Sequence, residues 1–149
     1  GVDPASLGGD DKIVRVSRQN SSGTYLYFRE HVLSKRDFKP GSLDMSGSKD
    51  VVELVARTKS AIGYSGMGYS TRDVRIVPVK ASAEAAAVSP TIEYVRDHSY
   101  PLARSLHVYT LGPPEGALKA YIEWLVSPKG QLIVEQAGYV PIKASGAAP

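Results

Sequence analysis

Arg18-Gln19-Asn20-Ser21-Ser22-Gly23-Thr24 joins a run of strand-type residues to a run with helical spacing. Upstream, Ile13, Val14 and Val16 form a short apolar β-type stretch. Downstream, Tyr25, Phe28 and Val32 recur three and four residues apart, the period of one helix face. The spacing predicts that the strand ends and a helix begins around Ser22, the helix running to Leu33. Helix N-termini carry unpaired backbone N–H groups and the positive end of the macrodipole, so a Ser-Gly-Thr placed there can present hydroxyls and amides to one anion. Gly23 lets a ligand approach the backbone. Arg18, four residues before Ser22, can add a two-pronged charge-assisted contact to a tetrahedral oxyanion, and Asn20 can orient that arginine or donate directly. The same Ser, Thr and Asn residues also read as an ordinary N-cap.

Helical and extended patterns alternate along the rest of the chain. A polar turn around Lys39-Pro40-Gly41 precedes a second helix, with Val51, Val52, Leu54 and Val55 on its apolar side and Ser48 as its cap. Ala61 to Tyr64 reads as a buried strand, and Ile76, Val77 and Val79 suggest another. The stretch from Ala81 to Ala87 is ambiguous between helix and loop. A short helix follows Pro90 through Val95, and Leu106 to Tyr109 reads extended. From Glu115 onward, Leu118, Tyr121, Ile122 and Leu125 mark an amphipathic helix. Ser127-Pro128 restarts a helix in cap and first-position order, and Gly138 ends it. This alternation predicts an α/β architecture with a sheet flanked by helices. Ala144 to Pro149 is a small-residue tail expected to fray.

Composition narrows the function classes. The 149 residues are 42% hydrophobic, enough for a single modest core. A net charge of +3, with lysines and arginines scattered, gives no basic helix or aromatic-interleaved patch for nucleic acid. The absence of cysteine excludes disulfides, thiol nucleophiles and thiolate metal sites. No apolar run approaches the roughly 18 residues of a spanning helix, and Gly1-Val2-Asp3-Pro4 has no signal-peptide pattern. Catalysis finds little support. Ser22 as a nucleophile would need His31 or His107 as base, and His31 lies about two and a half turns along the predicted helix at about 1.5 Å per residue. Gly63-Tyr64-Ser65-Gly66-Met67 displaces the second glycine of a nucleophile elbow. The histidines lack metal-ligand spacing, and neither paired carboxylates nor a phosphate-loop lysine motif is present. The expectation is a protein that is not an enzyme and takes no cofactor or metal.

The pattern R-x-x-x-S-G-T of Arg18 to Thr24 resembles the second-lobe ligand motif of the PstS-like phosphate-binding proteins of ABC transporters, which have the periplasmic-binding-protein fold. Three further stretches are similar to the same family. They are Ser60-Ala61-Ile62-Gly63-Tyr64 with Gly66-Met67-Gly68-Tyr69, Tyr100-Pro101-Leu102-Ala103-Arg104 leading into Leu106-His107-Val108-Tyr109, and Trp124 to Gln131 with Ala137-Gly138-Tyr139-Val140-Pro141. They fall in family order over roughly Arg15 to Ile142.

The resemblance implies a binding-protein lobe with a mixed sheet flanked by helices. Residues 1–99 would form the second lobe, 100–143 a crossover with C-terminal helices belonging to an incomplete first lobe, and 144–149 a flexible tail. It implies that Arg18, Asn20, Ser22, Gly23 and Thr24 contact inorganic phosphate, with Ser46, Ser48 and Arg104 as secondary candidates. Asn20 stands where many family members have Asp, which leaves that position neutral. Too little chain precedes Ile13 for a first-lobe donor loop, so the resemblance implies a partial binding protein without its N-terminal lobe segment, binding weakly alone. The implied partners are phosphate, a transporter permease and the missing lobe, with a homodimer if Tyr121, Trp124 and Leu125 are exposed; nucleic acid is not among them. The implied location is periplasmic or extracytoplasmic, membrane-associated through a partner or a removed anchor. Sulfate or another tetrahedral oxyanion, and a sensory or interaction module of the same fold, remain open alternatives. Tyr64, Tyr69 and Tyr109 read as half-buried packing residues.

Overall fold

The computed structural model describes residues 12–142. The expected tail over 144–149 lies outside the described residues. Contacts divide the chain into two compact units at the Arg75–Ile76 boundary, and each is described by itself.

Residues 12–75 form an α/β unit. Its elements are β1 (Val14–Arg18), α1 (Gly23–His31), β2 (Leu43–Met45), α2 (Ser48–Arg57), β3 (Ala61–Gly63) and a 3-10 turn at Met67–Tyr69. The strands pair in the order β2-β1-β3. Arg18 lies opposite Met45 on one side, and Val16 lies opposite Gly63 on the other. A sheet flanked by helices is what the alternation predicts, but all three strands are parallel and not mixed. The reason is local: each strand is joined to the next through a helix, and such a crossover returns the chain in the same direction.

The two crossovers run in opposite directions along the sheet, and right-handed connections of that kind put their helices on opposite faces. The pleat of β1 agrees. Val16 packs on the α2 side, where a Cβ added to Gly63 would lie 2.8 Å from Val51 Cγ1 and 3.3 Å from Val16 Cβ. Ser17 points the other way, to Tyr64, whose ring stacks on Phe28 of α1 at 4.1 Å. Val16, Val51 and Val52 are the buried apolar residues here, each contributing about 1.5–3 kcal/mol. Tyr25, Phe28, Phe38 and Tyr64 form a stacked aromatic layer on the α1 side.

β2 was not legible in the sequence. Three residues long, with a charged Asp44 at its centre, it is an edge strand held, among the described residues, only by β1. β3 is likewise an edge, so Ile62 is half-exposed, against the expectation of a buried strand. α1 ends at His31, two residues before the expected Leu33.

Residues 76–142 contain α3 (Ile92–Arg96), α4 (Gly116–Leu125) and α5 (Pro128–Gln136). Ser127 caps α5 by accepting from Gly130 N, and Gly138 follows the helix at φ +82°, as the sequence predicts. The backbone carbonyls of Trp124 and Leu125 leave no room for a Cβ at Gly130. Buried Gln131 ties the two ends together, donating to Leu125 O at 2.9 Å and accepting from Ile142 N at 2.7 Å. Two expected extended segments are not strands. Ile76 and Val77 are exposed, and Val79 makes only an isolated antiparallel bridge with Val88. Leu106 to Tyr109 has no ladder partner among the described residues, and Tyr109 is 87% exposed where packing was expected. β-type residues form a strand only when a neighbour takes up their backbone groups. The ambiguous stretch Ala81 to Ala87 is loop. Tyr121 and Trp124 are exposed and stack on each other at 5.9 Å, while Leu125 is half-buried.

Candidate functional site

Parallel strands bring their carboxyl ends to one edge, and ligands of open α/β sheets bind outside that edge where the strand order reverses. In residues 12–75 the reversal lies at β1, between β2 and β3. The loops leaving it there are 19–22, 46–47 and 64–66. Both α1 and α2 start from this edge, so two helix N-termini turn their positive ends toward it. The first turn of α1 carries no acidic residue, which leaves that positive end uncompensated.

Arg18 is the last residue of β1. The pleat sends its side chain to the α2 face, where Nη1 donates to Ser48 Oγ at 2.7 Å and Nη2 to Ser46 O at 2.8 Å. Its Nε is buried without a hydrogen-bond partner among the described residues. The orienting contact expected from Asn20 is not made. Asn20 sits exposed in the turn closed by Ser22 N donating to Gln19 O at 2.9 Å, and Ser46 and Ser48 hold the arginine instead.

Ser22 is the N-cap of α1, its Oγ accepting from Thr24 N at 3.2 Å. The capping role is therefore real. It occupies a lone pair and leaves the hydroxyl proton able to donate. Gly23 and Thr24 form the first turn.

The second donor group is built differently from the expected cap. Gly47, not Ser48, is the N-cap of α2, and Ser48 is its first helical residue. The Asp50 carboxylate supplies the capping acceptor, taking Gly47 N at 2.8 Å and Ser46 Oγ at 2.9 Å. That shift frees the Ser48 hydroxyl to receive Arg18. The Ser46 hydroxyl and the Gly47 N–H, with the charges of Arg18 and Lys49, hold the Asp50 carboxyl below its ordinary range. Ser65 Oγ donates to Ser48 O at 3.0 Å, closing the loop cluster.

Sequence reasoning missed Ser17 and undervalued Tyr64. Ser17 is only 2% exposed, and its Oγ lies 2.8 Å from Tyr64 Oη. Arg18 N donates to the same phenol at 3.3 Å. Burial pushes the Tyr64 phenol up, partly offset by its bonds to Ser17 and Arg18. A hydroxyl inside an apolar strand run, on the face opposite Val16 and Arg18, was the available signal.

Beside this cluster lies a shallow groove lined by Gln19, Asp44, Met45, Ser46, Asp50, Glu53 and Arg57. It shares Ser46 and Asp50 with the cluster, and its three carboxylates disfavour an oxyanion within the groove itself. Arg104 belongs to residues 76–142, exposed in the irregular stretch after Tyr100-Pro101. His31 does not approach Ser22. It sits at the far end of α1, stacked on Tyr27 and bonded through Nδ1 to Tyr27 O.

An open parallel α/β unit, with helix N-termini and an arginine gathered at the carboxyl edge, defines the class as a binding-lobe fold. A family model described as the PBP superfamily domain matches residues 3–129, and the chain belongs to that superfamily. The phosphate-binding protein PstS of Pseudomonas aeruginosa is 37% identical over 131 residues, covering 85% of this chain and 41% of that protein. The PstS of Staphylococcus aureus is 33% identical over 139 residues, covering 88% and 41%. Among solved structures, a putative phosphate ABC transporter substrate-binding protein from Clostridium perfringens, with bound phosphate, superposes with a TM-score of 0.69 at 31% identity. That match covers 93% of this chain and 56% of that one. The chain thus spans less than half the length of the curated relatives it matches. Among the described residues, no helix is long and apolar enough to cross a membrane.

Proposed function

We propose that this chain is a lobe of a phosphate-binding protein that captures inorganic phosphate reversibly, without chemical change, for an ABC transporter. The observation that carries the reading is the state of Arg18. Its two Nη groups bond only uncharged oxygens, its buried Nε–H has no partner, and no carboxylate lies within ion-pair distance among the described residues. An arginine held in place without a direct ion pair among the described residues, between two helix N-termini, is suited to an oxyanion. Arg18 supplies the charge. Ser22, Gly23 and Thr24 supply hydroxyl and backbone donors from α1, Ser48 adds a hydroxyl from α2, and Asn20 borders the turn. The names of the relatives, and the phosphate bound in the Clostridium structure, support phosphate as the anion.

A single lobe cannot replace the full hydration shell of a dianion, so affinity should be modest. The exposed apolar residues of 76–142, including Leu106, Val108, Leu111, Tyr121 and Trp124, support docking of a complementing lobe polypeptide. Delivery to a permease, an extracytoplasmic location and the absence of catalysis follow from the same reading. Isothermal titration with phosphate and sulfate at low ionic strength tests it. Heat with phosphate that exceeds the heat with sulfate supports the assignment; a folded chain that gives heat with neither anion overturns it. Sedimentation across micromolar concentrations separates docking of another polypeptide, with this chain monomeric, from pairing of two copies.

A further inference from the structure

We infer that Tyr64 is a positioning residue for the anion site, its side chain standing in for the backbone acceptor that β3 no longer supplies to Arg18. This rests on the phosphate reading of the Arg18 cluster.

In a parallel ladder, alternate N–H groups of β1 point to the same neighbour. Val14 N donates to Ser60 O at 3.0 Å on the β3 side, whereas Gln19 N donates to Met45 O at 3.1 Å on the β2 side. By that alternation the Arg18 N–H faces β3. The strand has ended at Gly63 by then, and the acceptor Arg18 finds is the Tyr64 phenol at 3.3 Å. Arg18 is held in the ladder on its β2 side, opposite Met45, and the phenol takes up the N–H on the other side, where β3 has no backbone acceptor left.

The phenol also closes a ring of hydrogen bonds around that residue. Arg18 N–H donates to Tyr64 Oη, and Ser17 Oγ donates to Arg18 O at 3.4 Å. The 2.8 Å contact between the two hydroxyls is then satisfied with Tyr64 donating to Ser17. The phenol is held protonated by its surroundings, which the donor role requires. Its ring meanwhile stacks on Phe28 at 4.1 Å and 14°. Phe28 belongs to α1, whose first turn contains Gly23 and Thr24. One side chain thus fixes both the end of β1 that carries the guanidinium and the helix that carries the Ser22-Gly23-Thr24 donors. Their spacing is what a tetrahedral anion reads.

The test uses the isotopically labelled chain titrated with inorganic phosphate, following the Arg18 Nε–H and Thr24 amide resonances. Tyr64→Phe keeps the stack and removes the hydroxyl. The phosphate midpoint should rise roughly three- to tenfold, and the Arg18 amide should exchange faster with solvent, while the resonances of Val51 and Val52 stay in place. Ser17→Ala breaks the same ring from the other side and should give a shift of similar size. The double variant should be no weaker than either single one, because a ring opens only once. A phosphate-responsive wild-type chain with an unshifted Tyr64→Phe midpoint, or with effects that multiply in the double variant, overturns the positioning role alone. A folded wild-type chain whose Arg18 and Thr24 resonances ignore phosphate overturns the phosphate reading and this inference together. Should Tyr64→Phe fail to fold, Ser17→Ala carries the test.

Discussion

The Arg18 guanidinium crosses from the end of β1 to Ser48, the first residue of α2, donating an Nη1–H to its hydroxyl at 2.7 Å. This contact joins the end of β1 to the entrance of α2 at the sheet's carboxyl edge. It follows from strand geometry: side chains alternate faces, so Arg18 shares the α2 side with Val16, while Ser17 between them faces α1. The Ser48 oxygen accepts from the arginine and keeps its own proton to donate. A bound anion would thus meet a guanidinium and a hydroxyl already in register.

Replacing Arg18 separates charge from geometry. Arg18→Ala should abolish phosphate binding. Arg18→Lys retains the positive charge but loses the planar fork that holds Ser48 and Ser46 O while presenting further N–H groups. Charge-assisted bonds are worth about 1.5–3 kcal/mol, so the lysine variant should bind roughly ten- to a hundredfold more weakly. Calorimetric titration decides, and wild-type affinity in either variant would remove Arg18 from the site.

Ser22 allows its capping role and its proposed ligand role to be told apart. Its Oγ caps α1 through Thr24 N, a role that Asp fills equally well. Ser22→Asp should therefore keep the melting temperature close to wild type. The same carboxylate beside the α1 N-terminus would repel an oxyanion, so phosphate binding should vanish. Ser22→Ala should do the reverse in part, costing about 0.5–2 kcal/mol of stability through the lost cap. If Ser22→Asp binds phosphate as the wild type does, Ser22 is a cap and nothing more.

The acid limb of stability should depend on Asp50. Its folded-state pKa lies below the ordinary 3.8 because the carboxylate accepts from Ser46 Oγ and Gly47 N. A depressed carboxylate adds stability above its unfolded pKa and loses that contribution as pH falls through the folded value. Asp50→Asn should accordingly be less stable at neutral pH and lose less on acidification below about pH 4. A residual acid dependence should persist, since Asp97 is depressed in the same way by Ser99. Urea unfolding from pH 2 to 7 reads both, and identical slopes for variant and wild type would contradict the assignment.

The strand-turn-helix junction and its caps could be read in the sequence because they depend on residues near each other in the chain. Ser22, Ser127-Pro128 and Gly138 take the positions their chemistry demands. What could not be read was set by pairing. Leu43-Asp44-Met45 has no strand pattern and becomes β2 because β1 lies beside it. Leu106 to Tyr109 has a strand pattern and stays unpaired. The candidate site divides in the same way. Arg18, Ser22, Gly23 and Thr24 stood out as a local motif, and Ser48 was legible only as a secondary donor, without its contact to Arg18. Ser17 and Tyr64 enter through a contact between segments far apart in sequence, for which a single chain offers no periodicity, whereas Asp50 acts locally on Ser46 and Gly47.

Gly63 links core packing to the site. A Cβ there would lie 2.8 Å from Val51 Cγ1 and 3.2 Å from Val16 O. Val51 is 1% exposed and has nowhere to retreat. Gly63→Ala should therefore overpack the α2 face and cost about 1–3 kcal/mol. Because Val16 O belongs to the backbone of β1, part of the strain must displace β3 itself, and Tyr64 is the next residue along it. The variant should thus weaken phosphate binding along with stability, although residue 63 has no polar side chain. Val51→Ala in the same chain opens space for the new methyl group. The double variant should recover part of the stability that the two single changes would lose if they simply added. Equilibrium unfolding of all four chains gives the coupling, and phosphate titration of the same samples reads the site. Strict additivity would mean that Gly63 and Val51 do not share the packing described, whereas recovered stability with binding still impaired would place the displacement in β3.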